Sequence, residues 1–203
     1  MHQRPPGVDG TALVVTVALL GWGSLIWDPR PEFDQWHEAW RPDGPRLNLE
    51  FSRISQTRHG ALTLVIDPLN GVPNTVMYSV SRRNGLDDVI HDLARREGTN
   101  IGNIGHVCRL PNSLSCRDAG SGKVIAAWAA ARNIDAVVWT DLPSNFEQKT
   151  REPFSLDAAI RYLERLDPTG RAEAARYIRR APLSISTPLR RAVAAEAWNT
   201  DER

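Results

Sequence analysis

Cysteine is nearly absent from this chain: two residues, Cys108 and Cys116, among 203. They flank a turn, "RLPNSLSC", and so small a number in an ordinary composition reads as reduced thiols of the cytoplasm rather than a disulfide framework. A chain of this length buries roughly 70% of its unfolded surface and needs no staple or structural metal. Metal-ligand spacing is also missing, because the five histidines stand apart from one another and from both cysteines. Charge of one sign is lacking too, with 25 Lys and Arg against 24 Asp and Glu. No field results that would favour nucleic acid or an anionic membrane. Ten arginines crowd residues 151–203, but eight acids accompany them, as on solvated helical faces. The apolar stretch 12–20 is too short to span a bilayer, and its flanks fit a signal peptide poorly. A cytoplasmic protein is expected.

What is present is mostly pattern. Residues 1–11, "MHQRPPGVDGT", read as a loose leader. Residues 12–20 read as a strand apolar on both faces, hence fully buried. Four prolines divide residues 28–46, leaving room for a short helix within a long connection. "LNLEFSRIS", "ALTLVID" and "TVMYSVS", joined by tight turns, predict an antiparallel meander. Residues 86–97 switch to helical period. A hairpin over 104–117, the alanine-rich helix "KVIAAWAAARN" and the strand "AVVWTDL" follow. After 150 the chain reads as helical. Ser155 caps one helix, and Thr187 with Pro188 opens the last. Strands first and helices appended predict a single α+β domain over 1–203, with a barrel-like core and residues 151–203 as appended helices.

Two features carry chemistry. In the helix 86–97 the apolar stripe is Leu86, Val89, Ile90, Leu93 and Ala94, and its next member is Glu97. A carboxylate turned toward a covered face, at the negative end of a helix, has its pKa raised toward that of a general base at neutral pH. The alternative is an ordinary ion pair at the helix end with Arg53, Arg58 or Arg96. The second feature is "LLGWGSLIWDP", where a buried strand runs into Gly21-Trp22-Gly23-Ser24. Either the glycines make a bend around Trp22 and Trp27, or the backbone N–H groups converge as a nest for a carboxylate or oxyanion. Other signals fail. "GSGKV" lacks the first glycine and the Ser/Thr of a phosphate loop, and "GWGS" lacks the second glycine of a nucleophile elbow.

In order along the chain, these stretches resemble the γ-glutamylcyclotransferases, closest to the ChaC-like branch. "LLGWGSLIWDP" is similar to that family's "GYGSLIW-P" opening, and "FSRISQTRHGALTLVIDPLNGVPNTVMYSVS" to its arginine-containing strand and the two after it. "DLARREG" resembles the helix end that carries the family's catalytic glutamate, and "SLDAAIRYLERLDPTGRAEAARYI" its two C-terminal helices. The resemblance covers most of residues 15–180. It implies a small β-barrel with packed helices and a cofactor-free enzyme that releases 5-oxoproline from a small-molecule γ-glutamyl substrate. It places the catalytic acid/base on Glu97 and substrate binding on Trp22, Gly23, Ser24, Leu25 and Arg53, with no metal. The resemblance does not fix an oligomeric state. Three departures stand out: Trp22 replaces a tyrosine and so loses a hydroxyl, "GTNIGN" replaces an aromatic position, and residues 121–146 look more helical. These leave open a changed substrate such as a γ-glutamylamine, or a non-catalytic binding protein for an amino-acid-like ligand.

Overall fold

The computed structural model describes residues 15–110 and 112–195; the expected leader, 1–11, lies outside them. Within these bounds the chain is α+β, with strands and helices interspersed rather than segregated. Strand β1, Val17–Gly21, starts later than the expected 12–20, of which 12–14 lie outside the described residues, and it is buried at every position, as its two-sided apolar pattern requires. It lies inside a five-stranded sheet. On one side it pairs antiparallel with β5, Met77–Val80, and on the other parallel with β8, Ala136–Thr140. Beyond β8 come β6, Ile104–Arg109, and β7, Asn112–Ser115, which form the expected hairpin.

The second sheet has three strands: β3, Leu62–Ile66, β2, Arg46–Ile54, and β4, Val72–Thr75, in that order. This corrects the meander, because β2 lies between β3 and β4 and pairs antiparallel with both. It also replaces the expected barrel with two separate sheets; no closed barrel forms among the described residues. The reason lies in "TVMYSVS", which is two strands and not one. At Val76 the chain leaves the small sheet for the large one, its N–H donating to the Pro45 carbonyl (3.1 Å) while its carbonyl accepts from Gly44 (3.0 Å).

Each face of the large sheet buries a different set of side chains. Val17, Leu19, Ala136 and Val138 face helix α3, Leu86–Arg96, and meet its Val89, Leu93 and Ala94. Ala18, Leu20, Val137 and Trp139 face the small sheet and its Leu47, Leu49 and Phe51. Two short helices follow β1: α1, Ser24–Trp27, and α2, Pro31–Asp34, the latter started by Pro31 and lying in the connection where a short helix was expected. Helix α4, Ala119–Ala131, is capped by Asp118, whose carboxylate accepts from Ser121 N–H (2.7 Å). A short helix α5, Phe146–Thr150, follows β8 and had no sequence signal.

Helices α6, Leu156–Glu164, α7, Pro168–Arg180, and α8, Pro188–Ala195, complete the chain as described. Ser155 caps α6, its hydroxyl accepting from Ala158 N–H (3.1 Å). Asp167 and Pro168 serve as the N-cap and first residue of α7. Leu163, Ala174, Ile178, Leu189 and Val193 share one core with Phe51 and Leu62, so these helices cover the small sheet. No described helix is long and apolar enough to cross a membrane. Both cysteines are free, and they pack against different cores.

Candidate active site

Where the ends of β1, β2 and β8 meet the C-terminus of α3, the two sheets leave a cavity of about 670 Å³. That lies within the usual ~300–1,000 Å³ of small-molecule sites. Trp22, Gly23, Ser24, Leu25, Arg53 and Glu97 all line it. Residues distant in sequence are thus brought to one place, though each contributes differently.

Glu97 is the C-cap of α3, and the helix end is closed by Thr99 N–H donating to the Ala94 carbonyl (3.0 Å). Its side chain is 19% exposed, and Oε1 is shut off from solvent without a hydrogen-bond partner. Burial pushes the carboxyl pKa above the ordinary 4.5; Arg96 and Arg58 pull it back, and Asp28 adds a smaller upward push. Of the three pairings foreseen, the structure supports Arg96, with Nη1 3.8 Å from Oε1, and a looser influence of Arg58; Arg53 is not involved. Arg96 is itself buried and donates to the carbonyls of Ser24 (3.2 Å) and Asp28 (2.7 Å). The helix carrying Glu97 is thereby tied to the segment carrying the glycines.

The glycine loop has a structural cause that sequence could not supply. A Cβ on Gly21 would lie 2.9 Å from the Trp40 ring, and one on Gly23 only 2.4 Å from the Tyr177 hydroxyl. Both glycines make room for aromatic side chains. Trp22 turns into the core, where its indole N–H donates to the Leu64 carbonyl (3.1 Å). Leu25 is packed in the core beneath α3. Ser24 begins α1, whose first turn is closed by Ile26 N–H donating to the Gly23 carbonyl (3.0 Å). Trp22 forms part of the cavity wall without filling it, and Trp139 is wholly enclosed in the core.

Tyr177, on α7, is a lining residue that sequence reasoning missed, as is Lys149 on α5. Tyr177 is caged by Trp27 (ring centroids 5.6 Å apart) and Phe51 (6.2 Å), with the Arg58 guanidinium 5.2 Å from its ring centre. Burial, then the Glu97 charge, push its pKa up to about 12, against the pull of Arg58 and of backbone groups of Ser24 and Leu64. At physiological pH it is a neutral hydroxyl beside Glu97. A signal existed, since Tyr177 belongs to the stripe Gly170, Ala174, Tyr177, Ile178 and Ala181, a polar tip on an apolar face. Only the packing of α7 decides what that tip meets.

Six cations line the cavity, Arg30, Arg53, Arg58, Arg95, Arg96 and Lys149, and Glu97 is its one carboxylate. Among the described residues no group of three or more His, Cys, Asp or Glu comes together as metal ligands do. The cations of the lining outnumber its carboxylate, a balance that favours negative charge, and a buried carboxyl and a neutral hydroxyl stand among them. No family model, curated protein or solved structure matches the chain.

Proposed function

We propose that the protein is a γ-glutamylcyclotransferase-like enzyme, releasing 5-oxoproline from a γ-glutamyl compound with Glu97 as general acid/base and no cofactor. The observation that carries the reading is Glu97 itself. It is a buried carboxylate with an unpartnered oxygen, in the wall of the cavity that the Gly-Trp-Gly-Ser segment also lines. The ordered resemblance of "LLGWGSLIWDP", the Arg53 strand and "DLARREG" to that family supports it from the sequence side.

In this mechanism Glu97 takes a proton from the substrate's α-ammonium. The amine nitrogen bonds to the γ-carbonyl carbon, and the bond from that carbon to the leaving nitrogen breaks. Glu97 returns that proton to the departing nitrogen, and the second proton shed by the attacking nitrogen as the lactam forms leaves with it, so the products are 5-oxoproline and an ammonium ion, and no water is consumed. Nucleophile and electrophile share one molecule. Folding the substrate thus supplies much of the rate, since well-oriented intramolecular reactions reach effective concentrations of ~10⁵–10⁸ M. Burial of Glu97 raises its affinity for the proton it must accept. The neutral hydroxyl of Tyr177 and the backbone of residues 22–25 are the groups available to hold the γ-glutamyl end and the developing oxyanion. Arg53 is available to the remainder of the ligand.

The test is 5-oxoproline release from a panel of γ-glutamyl peptides and amines, with wild type beside Glu97→Gln. Glu97→Gln is expected to lower turnover by roughly 10²–10⁴, the usual contribution of a general base. A folded wild-type protein inert toward the whole panel sinks the assignment, and a binding protein without turnover then becomes the better reading.

A further inference from the structure

The cations of the cavity fall into two groups. Four have carboxylate neighbours: Arg30 and Arg58 with Asp28 (3.5 and 3.6 Å), Arg95 with Asp92 (3.5 Å), and Arg96 with Glu97 (3.8 Å). Arg53 and Lys149 have none among the described residues. These two share one side of the cavity. Arg53 donates to the Pro143 carbonyl (2.8 Å), and the next residue, Ile54, donates its N–H to the Asn145 side chain (2.7 Å). Asn145 is the N-cap of α5, and one turn on, Lys149 N–H donates to its carbonyl (3.0 Å). A third cation crowds this side, for Arg117 repels Arg53 while its guanidinium donates to the Asp141 carbonyl (2.7 Å) and the Asn103 side-chain oxygen (2.7 Å). The charged groups acting on Glu97 are others: Arg96, Arg58, Asp28 and Arg30. At the end around Glu97 each cation thus has a carboxylate within 4 Å, though Asp28 serves two of them and Asp92 is shared with Arg83, whereas Arg53 and Lys149 have none among the described residues.

We propose that the side with Arg53 and Lys149 receives the leaving-group half of the ligand, and that this half carries two negative charges, as an amino dicarboxylate or a phosphate-bearing amine does. The inference rests on the cyclotransferase reading for its orientation, with the γ-glutamyl end at Glu97. The buried Asp141 carboxylate on this side accepts from Arg117 N–H (2.6 Å), and no described carboxylate lies within 4 Å of Arg53 or Lys149. Two ligand charges match these two cations; a neutral or cationic leaving amine leaves them unmatched, and a γ-glutamyl polyamine adds repulsion.

Two matched pairs of ligands test this. One is γ-glutamyl-glutamate against γ-glutamyl-glutamine, which differ by one carboxylate at nearly constant shape. The other is γ-glutamyl-phosphoethanolamine against γ-glutamyl-ethanolamine. Affinities are read by calorimetry on Glu97→Gln, and kcat/KM on wild type, so that a misfolded variant does not leave the question open. The charged member of at least one pair is expected to be preferred roughly fivefold or more, as for a charge-assisted contact in a concave site. The preferred pair tells carboxylate from phosphate. Lys149→Gln and Arg53→Gln are each expected to shrink that ratio, a readout that general loss of stability does not move. Equal preference within both pairs, or a ratio untouched by both substitutions, overturns the proposal. Turnover without charge preference sinks this subsite and spares the cyclotransferase. Charge-selective binding without turnover of any ligand does the reverse.

Discussion

Gly23 and Tyr177 are more than 150 positions apart, yet 2.4 Å is all that would separate a Cβ on the first from the hydroxyl of the second. The next nearest atom, the ring carbon bearing that hydroxyl, would be an unremarkable 3.4 Å away. Gly23→Ala is therefore expected to destabilise the fold by about 1–3 kcal/mol, the usual cost of overpacking. Gly23→Ala combined with Tyr177→Phe is expected to recover most of that loss. Urea unfolding of both single variants and the double variant checks it, and additive losses would show that the hydroxyl is not the obstacle. Glu97 makes a separate prediction. Its carboxyl pKa is raised, so the base form is lost at a higher pH than for an ordinary glutamate. The acidic limb of the kcat/KM profile should accordingly fall above 4.5, activity dropping as pH falls through the raised value. A limb at or below the ordinary glutamate value would argue against Glu97 as the base.

At the scale of elements, the attachment of α8 to the small sheet runs through another buried carboxylate, Glu50 on β2. One oxygen accepts from Phe51 N–H (2.7 Å), and the other meets Leu189 N–H in the first turn of α8 (3.5 Å). Burial raises its pKa, against the pull of the Thr187 hydroxyl and these backbone groups. A raised carboxyl pKa means that the native state holds its proton more tightly than the unfolded chain does. That stabilisation is complete below the unfolded value and is lost as pH rises through the folded one. Compared by denaturant unfolding across this range, Glu50→Gln should gain on wild type as pH rises. A stability difference that does not change with pH would contradict it. Helix α3 shows the complementary case, in which an element was readable almost to its last residue. Its apolar positions repeat with helical period and no tertiary partner is needed to recognise them.

The whole molecule supplies what neither residue nor element contains. The cavity exists because β1 and β8 run parallel and finish beside the ends of β2 and α3. The chain passes from one sheet to the other at Val76. Nothing in "TVMYSVS" marks that crossing, since β-rich residues continue through it and both halves pair well. The expected meander and barrel followed from treating it as one strand. The two-sheet arrangement also lets α7 cover the small sheet and bring Tyr177 to the cavity.

Local order alone determined the buried first strand, the span of α3 with Glu97 at its covered end, the hairpin, and the caps at Ser155 and Thr187. Periodicity, capping and turn chemistry act between residues a few positions apart, and sequence displays those distances directly. It also displayed Trp22, Gly23, Ser24, Leu25, Arg53 and Glu97 as candidates, through their resemblance to a motif set. Only the tertiary structure decided that these six line one cavity, that the glycines make room for Trp40 and Tyr177, and that Arg53 and Lys149 stand without carboxylate neighbours while the other lining cations have them. Those facts depend on which surfaces meet across two sheets. Steric contact and charge compensation are properties of distance in space, and separation along the chain does not encode them.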